Sequence, residues 1–125
     1  MYSSQRDWMT FWDCCQHRTY YWKIVVSGVY PFDMRRVHPW QQSYVARVYN
    51  IAKDIPTIKR LILFGSSISP FCTMYSDLDI AYEGTLGEQY LAILNSCPNG
   101  VDLLDITTVS NPKLKNNIEK GLRII

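Results

Sequence analysis

At 125 residues the chain has the length of one domain of ordinary size. Apolar residues make up 47% and charged residues 19%, which fills a core and excludes a disordered tail. Thirteen Lys and Arg against 11 Asp and Glu leave a net charge of +2, too small to argue for a nucleic-acid partner from charge alone. No run approaches the roughly 18 apolar residues that cross a bilayer. The opening residues are polar and include Asp7 and Asp13, unlike a secretory leader, so the expected setting is cytoplasmic with no membrane partner.

Residues 1–40 hold all four tryptophans, Trp8, Trp12, Trp22 and Trp40, among Tyr, Arg and His, and are broken by Gly28, Pro31 and Pro39. Tyr20 to Val26 has the aromatic and β-branched content of a strand or a buried run. The expectation is an accessory segment that packs its aromatic rings on the domain, with a docking surface for a partner as the alternative. Cys14, Cys15 and His17 form the only compact set of zinc-type ligands, one short of a site, and the four cysteines read as reduced thiols.

A regular pattern begins at residue 41, and residues 41–125 are read as the domain proper. Tyr44, Val45, Val48, Ile51 and Ala52 recur at helical spacing, in a helix ending before Pro56. Lys59 and Arg60 lead into Leu61 to Phe64, a continuous apolar run expected as a buried strand broken by Gly65 and Ser66. Leu78, Ile80 and Tyr82 alternate with Asp77, Asp79 and Ala81 in a second strand that ends at Gly84. Leu86 to Leu94 predicts a second helix, Pro98-Asn99-Gly100 a turn, and Val101 to Ile106 a third strand. Asn111 or Ser110 caps a last helix with Pro112 in its first turn, and Gly121 is placed as its left-handed terminator. This order predicts an α+β fold, with a mixed, largely antiparallel sheet covered by helices on one face.

Chemistry concentrates at Gly65-Ser66, followed after ten residues by Asp77-Leu78-Asp79. Residues two apart on a strand share a face, so the two carboxylates lie side by side and repel unless a cation neutralises them. Magnesium suits hard oxygen ligands and leaves positions open for phosphate. A glycine and a serine at a tight turn after a buried strand let a phosphate approach backbone amides. The pair describes a site for a nucleoside triphosphate.

The stretch LILFGSSISPFCTMYSDLDIAY, Leu61 to Tyr82, resembles the signature of the nucleotidyltransferase superfamily that includes DNA polymerase beta, and in particular its minimal single-domain members. The likeness runs from about Tyr44 to the C-terminal NPKLKNNIEKGLRII and leaves residues 1–40 uncovered. It implies a palm-like fold and a third carboxylate on a later strand. Asp102 matches that position, between two apolar residues, and is preferred to Asp105, whose strand parity is opposite. By resemblance Asp77, Asp79 and Asp102 are the catalytic residues and metal ligands. They would lie within metal-bridging reach, holding two Mg2+ ions for which Mn2+ can substitute. Gly65 and Ser66 would bind the phosphates of ATP, and AMP would pass to a hydroxyl acceptor. With little room for a second domain, the acceptor would sit on a partner protein, as in antitoxins of HEPN-type toxin pairs. Many relatives carry an Arg and a Gly after Gly-Ser, where this chain has Ser67, Ile68, Ser69 and Pro70. Lys59, Arg60 or a residue of 1–40 are the replacements at hand. A catalytically degenerate nucleotide- or partner-binding module is the alternative.

Overall fold

The computed structural model describes residues 19–125. Cys14, Cys15, His17, Trp8 and Trp12 therefore lie outside the described residues. Helix α1 (Gln42–Ala52) leads to β1 (Ile58–Phe64), a one-turn 3-10 helix (Gly65–Ile68) and β2 (Leu78–Gly84). A 3-10 turn (Gly87–Gln89) and the short α2 (Tyr90–Leu94) precede β3 (Val101–Asp105). A further 3-10 turn (Ile106–Thr108), α3 (Pro112–Glu119) and β4 (Leu122–Arg123) complete the order.

The sheet order is β3-β2-β1-β4. β1 pairs antiparallel with β2 and β4, while β2 pairs parallel with β3. The fold is α+β with a mixed sheet, as the element order implies. β1 is central and buried on both sides, which explains its unbroken apolar run. Leu61 and Leu63 join Leu78 and Ile80 in the main core with Val45 and Val48 of α1 and Ile93 of α2. Each such aliphatic side chain, wholly buried, contributes about 1.5–3 kcal/mol.

The helical cover is not confined to one face. Ile62 and Phe64 point the other way, into a second cluster with Ala81, Ile106, Val109 and Ile118 of α3. The short loop between β3 and α3 carries the chain across to that face. Arg60 ties the layers together, donating to Glu83 at 2.8 Å and pairing with Glu119 of α3 at 3.6 Å.

Several boundaries move for local reasons. The second helix shrinks from Leu86–Leu94 to α2 because Gly87 falls in its first turn and no side chain caps it. The third strand stops at Asp105, whose carboxylate accepts from the Thr107 amide (3.0 Å) and hydroxyl (2.8 Å) and turns the chain, placing Ile106 on the 3-10 turn. Of the two candidates, Asn111 caps α3, accepting from Lys113 N (2.9 Å) and Leu114 N (3.3 Å).

Gly121 is not a left-handed terminator, since its φ is not positive. It is a point of close approach, where a Cβ would lie 2.6 Å from the Leu63 carbonyl oxygen and 2.7 Å from Ile62 Cγ2.

Tyr20 to Val26 form neither a strand nor a buried run: Ile24 and Val25 are 47% and 59% exposed. The amides there bond elsewhere, Trp22 N to Arg35 O (2.6 Å) and Val25 N to Gln42 Oε1 (2.7 Å). Further along, Met34 and Val37 enter the main core, and Tyr30 and Phe32 pack their rings on Tyr49.

Candidate active site

The site lies where β1 ends. Phe64 is the register partner of Asp79, and the chain turns away at Gly65 with φ +76°. A Cβ on Gly65 would run into the Asp79 carboxylate, its carbon at 3.2 Å. Glycine is needed here both for the backbone and for the space. The acid group thus sits directly on the turn that sequence reasoning assigned to phosphate.

Asp79 is also the register partner of Asp102 on the parallel strand β3, so both side chains leave the same face of the sheet. Asp77 stands one residue before β2 rather than within it, at the position that continues this face. It is the face of Ile62, Phe64 and Ala81, opposite the one that α1 covers. Asp105 is the partner of Tyr82 and occupies the other parity, and its carboxylate is engaged as a cap.

Asp79 is half-buried while Asp77 and Asp102 are exposed. Burial first, then the negative charges of Asp77 and Asp102, push the Asp79 carboxyl up to about 7. An acid group raised by burial and by its acidic neighbours is one that a cation would relieve, and in donor chemistry the three carboxylates suit magnesium or manganese. The side chains are nevertheless not gathered. Among the described residues no three Asp, Glu, His or Cys side chains stand close enough together to hold a metal ion. Convergence to bridging reach is thus not met by these rotamers. Carboxylates on one face repel one another, and the outer two extend into solvent.

Neither basic residue proposed to replace the spacer arginine is at hand. Lys59 and Arg60 lie on the far half of β1, five or more residues from Gly65, about 17 Å at strand rise, and Arg60 is held by Glu83 and Glu119. Cys72, in the spacer, is a buried thiol that desolvation pushes up to about 11, which removes it as a nucleophile near neutral pH.

Sequence reasoning missed Gln41. It is 1% exposed and spends every polar atom on the two halves of the motif. Its Nε2 donates to Ser76 O (2.7 Å) and Asp77 O (3.1 Å), and its Oε1 accepts from the hydroxyl of Ser67 in the turn. The signal was available: Gln41 and Gln42 stand four residues before the buried Val45 and Ala46, on the apolar side of the helix.

No protein-family model matches this sequence, and no curated protein matches it closely. Among the described residues no helix is long and apolar enough to cross a membrane.

Proposed function

We propose that the chain is a metal-dependent nucleotidyltransferase that moves AMP from ATP to a hydroxyl acceptor on a partner protein. The observation that carries this reading is the placement of Asp79, beside Asp102 in the sheet and packed on the Gly65 turn. In that arrangement an acidic sheet end and a glycine turn meet at one point, which suits a metal-bound triphosphate.

The Gly65-Ser66 turn offers backbone and hydroxyl donors to the β- and γ-phosphates. Asp77, Asp79 and Asp102 are the residues that would hold magnesium, or manganese in its place. Asp77 and Asp102 are exposed, so their side chains are free of packing that would oppose rotation toward Asp79. Magnesium held there would supply positive charge against the attacking and leaving oxygens. Asp102 accepts the proton of the acceptor hydroxyl as its oxygen bonds to the α-phosphorus. The bond from the α-phosphorus to the bridging oxygen breaks, and pyrophosphate leaves with the electron pair. The partner, by the family resemblance alone, is a small helical protein of the HEPN toxin type.

The test is calorimetry with Mn2+-ATP, followed by transfer of label from α-labelled ATP to protein. Parent protein is expected to bind and to transfer label onto a protein acceptor, and Asp79→Asn to do neither. Parent protein that binds no Mn2+-ATP at millimolar concentration overturns the reading. A second reading, a nucleotide-binding module without turnover, is favoured by Ser67 to Pro70 in the spacer and by the absence of a gathered metal cluster among the described residues. Binding without transfer to protein, nucleic acid or small acceptor selects it.

A further inference from the structure

The two halves of the motif come from different parts of the fold. The Gly65–Ile68 turn follows β1, whereas Asp77 ends the irregular spacer before β2. β1 and β2 are paired up to Phe64 and Asp79, but beyond that rung neither segment has sheet pairing to the other. Among the described residues, one side chain, from the residue that precedes α1, hydrogen-bonds to both. Gln41 accepts from Ser67 on one side and donates to the carbonyls of Ser76 and Asp77 on the other. A primary amide has one oxygen and two N–H hydrogens, and all are engaged. The amide of His38 adds a bond to Ser67 O at 2.7 Å, from the same approach to α1.

We infer that Gln41 is a positioning residue, a buried clamp that sets the distance between the phosphate turn and the carboxylate of Asp77. The neighbouring Gln42 gives the contrast. It too is buried and fully bonded, but to Val25 N, Lys23 O and Val37 O, none of which belongs to the motif. Two amides of equal burial, one residue apart, therefore bond to different segments of the chain. Loss of either removes three hydrogen bonds from the interior, but only loss of Gln41 frees the two halves of the motif to drift apart. What the clamp serves, phosphate and metal held together, rests on the nucleotidyltransferase reading; the clamp itself does not.

The experiment compares Gln41→Met with Gln42→Met, in the full chain, at a temperature where circular dichroism shows both folded. The first readout is amide hydrogen exchange. Gln41→Met is expected to speed exchange at Ser69, Ser76 and Leu78, whose amides bond to Ser66 O, Thr73 O and Gly100 O. Gln42→Met is expected to leave these unchanged and to speed Trp22 and Val25 instead. The second readout is affinity for Mn2+-ATP, expected to fall about tenfold or more in Gln41→Met and to stay within about twofold in Gln42→Met. Equal effects of the two variants on exchange at Ser69, Ser76 and Leu78 overturn the clamp. So does unchanged Mn2+-ATP affinity in Gln41→Met when the parent binds. If the parent binds no Mn2+-ATP, the functional reading falls and exchange alone decides the clamp. Should Gln41→Met not fold, Ser67→Ala, which removes only one arm, is read in the same two ways.

Discussion

Asp102 sits directly beside Asp79 across the parallel pairing of β3 with β2, so the charge on one bears on the protonation of the other. Asp79 is at the same time pressed against the Gly65 turn. Burial and like charge act in one direction on this carboxyl, and among the described residues neither is offset by a basic neighbour.

The first consequence is a pH dependence of stability in metal-free buffer. The folded Asp79 carboxyl titrates near 7, above the ordinary 3.8 of an unfolded aspartate, so between those values the native state holds more proton than the unfolded state. Its contribution is therefore favourable at low pH and lost as pH rises toward 7, a difference of up to roughly 4 kcal/mol. His38, whose pKa burial lowers, works in the opposite sense, which is why parent and variant are compared pairwise. Urea unfolding at pH 5 and pH 8 is expected to show Asp79→Asn gaining on the parent at pH 8. An identical pH slope for the two proteins would refute it.

Removing the charge of Asp77 relieves Asp79 without changing shape. In metal-free buffer Asp77→Asn is expected to melt at the temperature of the parent or above it. On the proposed function the order is expected to reverse with Mg2+-ATP, since ligand at a hundred times its Kd would add about 2.7 kcal/mol to the parent alone. Asp105→Asn keeps a side-chain oxygen for the Thr107 amide, loses less than about 1 kcal/mol, and retains label transfer. Melting curves with and without Mg2+-ATP and one labelling gel decide the matter. Asp77→Asn that loses several degrees without metal, yet still gains from Mg2+-ATP as the parent does, is structural.

Gly65→Ala is expected to couple to Asp79. The left-handed backbone at Gly65 costs about 1–2 kcal/mol with any side chain, whatever stands at position 79. The collision with the carboxylate adds to this only while the carboxylate is present. A double-mutant cycle of Gly65→Ala with Asp79→Ala should therefore show a coupling of about 1 kcal/mol or more. Strict additivity would place the acid group away from the turn.

Gly121→Ala tests packing alone. Its Cβ would meet the Leu63 carbonyl oxygen at 2.6 Å and the Ile118 carbonyl oxygen at 3.0 Å, backbone that cannot swing aside. A loss of about 2–3 kcal/mol is expected, read as a lower urea midpoint with unchanged slope. A loss under about 0.5 kcal/mol would mean that α3 and β1 yield.

Much of this was written in local pattern. The apolar run Leu61–Phe64 read as a buried strand, and alternation from Asp77 to Tyr82 announced which residues share a face. Parity separated Asp102 from Asp105, the family resemblance chose between them, and the register then puts Asp102 beside Asp79. What failed was tertiary. That α3 crosses to the second face depends on where the loop after Asp105 goes, and no periodicity in α3 records that. Gly121 reads as a terminator in sequence because the position after a helix favours left-handed glycine; the backbone passing over it is that of Leu63, far upstream. Gln41 carries no motif, and only its partners, 26 to 36 residues away, give it meaning. How far the exposed carboxylates extend into solvent is a matter of rotamers, which pattern does not encode.

β3 is the outermost strand on its side of the sheet, and among the described residues no strand pairs with its outer edge. Such an edge is a template on which a second molecule can add a strand, and the usual protection is shortness and charge. β3 has five residues, and its acidic pair is Asp102 and Asp105. The carboxylate proposed for chemistry thus also puts charge on the edge, the usual device against edge-to-edge pairing. On the proposed function, neutralising Asp102 would remove two roles at once, so turnover in Asp102→Asn has to be read beside the particle size of the sample. At high protein concentration that variant should grow by light scattering while Asp77→Asn, off the edge, stays as the parent.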